Sequence, residues 1–152
     1  MCAHTPNEPI EIVLIEDNPG DVRLTQEAFN AVESEVSFHV VTNGVEATQY
    51  FSERDASDPD DHPDLVLLDL NLPRADGFDV LDMLDTEIDY PPPPVLILSS
   101  SESKEDIIKS YEKAANAYLT KPQSPTEFDS MARAIESFWI DTAQHAPVET
   151  CT

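Results

Sequence analysis

Positive charge is what this chain lacks most. Eight Lys and Arg face 31 Asp and Glu, a formal net charge of −23 in 152 residues, with a pI near 4.1. Nucleic-acid backbones and anionic membranes are held by clustered Lys and Arg, so the composition argues against both as partners. No apolar run approaches the ~18 residues that cross a bilayer. The first ten residues have no basic start and no apolar stretch, so no secretory signal is expected and the chain reads as cytoplasmic. Cysteine is scarce: Cys2 and Cys151 lie near opposite ends without a CxxC or a paired His. Neither a zinc site nor a disulfide is expected from them. His4, His39, His62 and His145 are scattered without ligand spacing.

What is present suffices for one domain. Hydrophobic residues make up 40% of the chain, and the mean hydropathy is −0.34. A chain of this length buries roughly 70% of its unfolded surface, so a core forms without disulfide or metal. The disordered reading that the charge alone suggests therefore loses.

Short apolar runs alternate with amphipathic stretches. Strands are expected at Ile10–Ile15, Val36–Thr42, Leu65–Leu68, Val95–Leu98 and Ala117–Thr120. Helices are expected over 21–33 (Leu24, Ala28, Ala31 and Val32 on one face), 45–54, 77–87 (Phe78, Leu81, Leu84), 104–114 (Ile107, Ile108, Tyr111, Ala114) and 125–141 (Phe128, Met131, Ala132, Ile135, Phe138, Trp139). Ser124-Pro125-x-Glu127 marks the start of the last. Asp55–Asp64 is a polar loop, and the prolines of Ile88–Pro94 force an extended linker. Residues 1–9 read as an extension, 10–141 as the domain and 142–152 as a tail. Five strands alternating with five helices imply a doubly wound α/β domain with a five-stranded parallel sheet, for which the flavodoxin-like order 2-1-3-4-5 is expected. Ligands in such sheets bind beyond the carboxyl ends of the strands.

Chemistry-bearing residues gather at those ends. Strand 1 runs into Glu16-Asp17, strand 3 into Asp69, strand 4 into Ser99 and strand 5 into Lys121, one of only four lysines. Three neighbouring carboxylates repel one another unless a cation joins them. Oxygen ligands without thiols or imidazoles favour Mg²⁺, which shares its carboxylates with phosphoryl groups. A hydroxyl and an ammonium nearby complete a phosphoryl cradle, with Asp69 as candidate nucleophile. The plainer reading makes Asp17 a turn and cap residue and Ser99–Ser101 an ordinary polar loop.

Four pieces, in order, resemble the receiver domains of two-component response regulators: E-D-N-P-G-D at 16–21, D-L-N-L-P-R-A-D-G at 69–77, L-I-L-S-S at 96–100 and N-A-Y-L-T-K-P at 116–122. The likeness covers about 10–141. The first motif, D-L-N-L-P-R and F-W-I at 138–140 further resemble phytochrome-associated stand-alone regulators. The resemblance implies that Asp69 accepts a phosphoryl group from a sensor histidine kinase. It implies that Glu16, Asp17 and Asp69 hold Mg²⁺ with the backbone carbonyl of Asn71. Ser99 and Lys121 would grip phosphoryl oxygens, and Tyr118 would be the switch aromatic. Pro122 would follow a cis peptide, and Gly77 would allow a tight turn. Glu16 stands where many relatives have Asp, and Ser99 where many have Thr.

An aspartyl-phosphate phosphatase or phosphotransferase is the alternative, but such enzymes carry an acid/base Asp two residues after the nucleophile, where this chain has Asn71. A flavin carrier needs a Gly- and hydroxyl-rich phosphate loop after strand 1, and this chain offers acids there. An unphosphorylated adaptor would have lost an Asp or the Lys. With about ten residues after the last helix, no output domain is expected, and the signal leaves by protein contact. Ile140, off the core stripe, suggests partner surface such as a homodimer. Asp58, Asp60, Asp61, Asp79, Asp82 and Asp85 make a surface suited to a high-salt cytoplasm.

Overall fold

The computed structural model describes residues 9–32, 35–58, 61–70, 77–100, 104–112 and 115–140, apart from the side chains of 110, 139 and 140. The strands are β1 (Ile10–Ile15), β2 (Val36–Val41), β3 (Leu65–Leu68), β4 (Val95–Ser99) and β5 (Ala117–Thr120). The helices are α1 (Pro19–Asn30), α2 (Gly44–Ser52), α3 (Gly77–Thr86), α4 (Lys104–Glu112) and α5 (Pro125–Ile135). All strand pairs are parallel, as the alternation implies, and the order is the flavodoxin-like β2-β1-β3-β4-β5 that was expected.

Strand parity splits the core into two layers. Leu65, Leu67, Leu96 and Leu98 join Ala28 and Phe29 of α1 and Phe128, Ala132 and Ile135 of α5. Val66, Leu68, Val95 and Ile97 join Ala47 and Phe51 of α2 and Val80, Leu81, Met83 and Leu84 of α3. With both faces covered, β3 and β4 are buried throughout, which is why they read as unbroken apolar runs.

Several helices differ from their expected form. α1 starts two residues early because Asn18 caps it, its Oδ1 accepting from the N–H groups of Gly20 and Asp21, with Pro19 at the first position. Its buried face is Thr25, Ala28 and Phe29, while Ala31 is exposed. Thr25 is buried at little cost because its hydroxyl donates to the Asp21 carbonyl at 2.8 Å. In α4 the expected stripe is not buried: Ile108 and Tyr111 are 57% and 51% exposed on a helix that borders β5, the edge strand of the sheet. The last helix gives way to a π turn over Glu136–Ile140. Its wider winding breaks the 3.6-residue stripe, and Phe138, expected in the core, is 67% exposed. Phe78 is only partly buried, with the Lys109 ammonium 4.2 Å from its ring centroid. Cys2, Cys151, Asp60 and Ala114 lie outside the described residues, as do the side chains of Trp139 and Ile140.

Candidate functional site

Parity also decides which way the strand-end residues point. Glu16 continues the alternation Ile10, Ile12, Leu14; Asp69 continues Leu65, Leu67; Lys121 continues Ala117, Leu119. All three follow the layer covered by α1 and α5. The register sets Ile15 beside Leu68, so Glu16 and Asp69 emerge level on neighbouring strands. Backbone bonds pin them: the Glu16 N–H donates to the Val41 carbonyl at 2.9 Å and the Asp69 N–H to that of Ile15 at 3.0 Å. The Lys121 N–H donates to the Ser99 carbonyl at 2.8 Å.

The side chains meet at the Lys121 ammonium. It lies 2.7 Å from Glu16 Oε2, 2.8 Å from Asp21 Oδ2 and 3.0 Å from Asp69 Oδ2. Glu16 and Asp69 are buried, whereas Asp17 is exposed. Burial pushes the Glu16 carboxyl up to about 7, against the lowering from its hydrogen bonds with Lys121 and the Asn18 N–H. Burial works against the charged form of Lys121, but the hydrogen bonds to Asp21, Glu16 and Asp69 outweigh it and its pKa is raised. The ammonium stays charged, and burial favours the protonated form of Glu16.

Glu16, Asp17 and Asp69 each offer an oxygen within 4.8 Å of the others'. The donor set is all oxygen, part buried and part open to water, and suits a hard divalent cation such as Mg²⁺. Asn71, whose carbonyl was expected to join it, lies outside the described residues. Ser99 is fully buried on the opposite face, with the parity of Val95 and Ile97. Tyr118 pairs with Ile97 in the register, so it is a diagonal neighbour of Ser99 on that face. Its ring is half-buried against the α2–α3 layer. Asp17 does not cap α1; Asn18 does.

Gly77 serves the site by close approach. A Cβ there would lie 2.6 Å from Leu70 Cα and 2.9 Å from the Asp69 carbonyl oxygen. Only glycine lets α3 begin this near the backbone that carries Asp69. The residue that strand-end reasoning missed is Asp21, in the first turn of α1. Three strand ends aimed at the α1 layer should meet whatever acid starts that helix, and E-D-N-P-G-D supplies one.

A family model for the response regulator receiver domain matches residues 12–133. The chain belongs to that family. It is 35% identical over 136 residues to response regulator Rcp1 of Synechocystis, covering 90% of this chain and 92% of Rcp1. Among solved structures, the Mn²⁺-bound form of Rcp1 superposes with a TM-score of 0.77 at 35% identity, covering 88% of this chain and 96% of that one. The phosphorylated cyanobacterial phytochrome response regulator RcpA does so with 0.79 at 36% identity, covering 89% and 96%. This receiver domain thus shares its fold and nearly its whole described length with phytochrome-associated regulators. Among its described residues no helix is long and apolar enough to cross a membrane.

Proposed function

We propose that this receiver domain takes a phosphoryl group onto Asp69 from the phosphohistidine of a sensor histidine kinase, with Mg²⁺ as cofactor. It then signals to a protein partner through a conformational switch. The observation that carries this reading is the Asp69 carboxylate: buried at the carboxyl end of the central strand, bonded to Lys121 at 3.0 Å, and within 4.8 Å of two further carboxylates.

The Asp69 oxygen attacks phosphorus, an O–P bond forms, the N–P bond to the donor imidazole breaks, and that nitrogen keeps the electron pair and takes a proton. The mixed anhydride on Asp69 is the product. Glu16, Asp17 and Asp69 would hold the ion, with the Asn71 carbonyl as a further ligand. When bound, Mg²⁺ offsets the charge of these acids and of the incoming phosphoryl oxygens. Lys121 is already charged and oriented, so it stabilises phosphoryl charge with little reorganisation. Ser99 would donate its hydroxyl to another phosphoryl oxygen. Its movement toward that oxygen would leave space on its face of the sheet, and the diagonal Tyr118 ring is the group positioned to enter it.

The output would then leave through α4, β5 and α5 as a population shift between two packings. Three features favour that face. Ile108, Tyr111 and Phe138 are exposed on it; a groove of about 670 Å³ beside α5 is lined by Leu119, Met131, Ile135 and Phe138; and Lys121 borders the same groove. A homodimer through this face is one form such contact would take. Neither nucleic acid nor membrane is assigned as a partner, for want of clustered positive charge. Turnover of phosphate esters is not part of the role.

Relatives support two parts of it, a divalent cation and phosphorylation: Rcp1 is known in a Mn²⁺-bound form and RcpA in a phosphorylated one. Intact-mass measurement after acetyl phosphate and Mg²⁺ tests the proposal. The wild type should gain one phosphoryl group and Asp69→Asn none. Equal labelling of the two would reject Asp69 as acceptor, and steady hydrolysis of a chromogenic phosphate ester would favour the phosphatase alternative.

A further inference from the structure

Lysine has three ammonium N–H donors, and here the Lys121 ammonium meets three carboxylates, Glu16, Asp21 and Asp69, at 2.7, 2.8 and 3.0 Å. Two of them have another task. Glu16 and Asp69 belong, with Asp17, to the carboxylates close enough to share one cation, and Asp21 is not among them. Phosphorylation would further spend an Asp69 oxygen on the anhydride.

We infer that Asp21 is the positioning residue for Lys121: it keeps the ammonium at the acceptor when a cation draws on Glu16 and Asp69. This role rests on the phosphoacceptor reading above. Asp21 suits it because its backbone is held. Asn18 Oδ1 accepts from the Gly20 N–H at 2.9 Å and from the Asp21 N–H at 3.2 Å. The Asn18 N–H in turn donates to Glu16 Oε1 at 3.1 Å, and Pro19 fixes φ between them. The segment 16–21 is therefore a bracket with the cation ligand at one end and the ammonium anchor at the other. A charge-assisted pair with one rigid partner confines the long lysine side chain at small further entropic cost. Without Asp21, the ammonium has as partners, among the described residues, only the carboxylates that the ion needs. It then either competes with the ion or swings away from the acceptor.

The test uses the full chain labelled with ¹⁵N, with four lysines to assign, and Mg²⁺ alone as the probe. The wild type should show a slowly exchanging Lys121 ammonium signal with and without saturating Mg²⁺. Asp21→Ala should keep it without Mg²⁺ and lose it with Mg²⁺. Asp21→Asn keeps an acceptor oxygen and should retain the signal in both states. Labelling by acetyl phosphate should slow about tenfold in Asp21→Ala, and much less in Asp21→Asn, for loss of one hydrogen bond to a charged group. A signal that survives Mg²⁺ in Asp21→Ala, equal effects of the two variants, or faster labelling of Asp21→Ala would overturn the inference. The last would make Asp21 a competitor for Lys121. A wild type that shows the signal but takes no label would instead reject the phosphoacceptor reading.

Discussion

Glu16 sits where burial makes its ionised form costly, beside the one ammonium that makes it tolerable. Its carboxyl moves from 4.5 to about 7 on folding, so the folded chain binds that proton more tightly than the unfolded chain does. The stability this confers is complete below about pH 4.5 and is lost as the pH rises through 7. In metal-free protein, Glu16→Gln should match the wild type in urea midpoint near pH 4.5 and exceed it at pH 8. A wild type that stays the more stable at pH 8 would show that the pair with Lys121 outweighs burial. The meeting of Glu16, Asp69 and Lys121 was legible in the sequence, because each is the polar residue that follows an apolar strand; Ser99, expected beside them by the same reasoning, has the parity of the opposite layer. Asp21 was not legible, because it belongs to a helix and its nearness to Lys121 depends on which face of the sheet α1 covers. Parity carries that information, but only once the sheet order is known.

At the level of elements, strands were easier to read than helices. β3 and β4 are buried on both faces, and a short unbroken apolar run between polar turns fits a covered parallel strand better than an amphipathic helix. A helical stripe says only that one side is apolar, not that anything covers it. Ile108 and Tyr111 of α4 stay exposed because that helix borders the edge strand. Tyr111 serves the edge in another way, its hydroxyl oxygen accepting from the Tyr118 backbone N–H at 3.2 Å. The linker over 88–94 forms neither helix nor strand, as its prolines require, but it hides a core residue. Tyr90 is 6% exposed, its hydroxyl donates to the Phe51 carbonyl at 3.0 Å, and the His62 ring stacks on it at 3.9 Å. Isolated among polar residues and prolines, it has no periodicity to betray it. Tyr90→Phe removes only the hydroxyl that ties the linker to α2, and should cost about 1 kcal/mol in urea unfolding. No measurable loss would mean that the Phe51 carbonyl finds water instead.

For the whole molecule, alternation of elements led to a parallel sheet covered on both faces, and the flavodoxin-like order expected for it, one of the few ways to connect five such strands, is the one observed. The charge is a separate property. A net −23 repels itself across the surface, where Asp58, Asp79 and Asp85 are exposed and Asp61 and Asp82 partly so. Added KCl screens that repulsion and should raise the melting temperature. A fall with salt would mean that attractive pairs, such as Arg23–Glu27 at 2.9 Å, outweigh it. In the proposed function the same acidity, concentrated where β1 and β3 end, would let one cation and the lysine after β5 organise a phosphoacceptor, and this claim has a direct test. Borohydride reduction of the acetyl phosphate-treated protein converts a phosphorylated aspartate to homoserine, which peptide mass spectrometry locates. Homoserine is expected at position 69 alone, present with Mg²⁺ and absent with a chelator. Homoserine at 17 or 21, or label at 69 that is indifferent to the cation, would contradict a cation-assisted acceptor at Asp69.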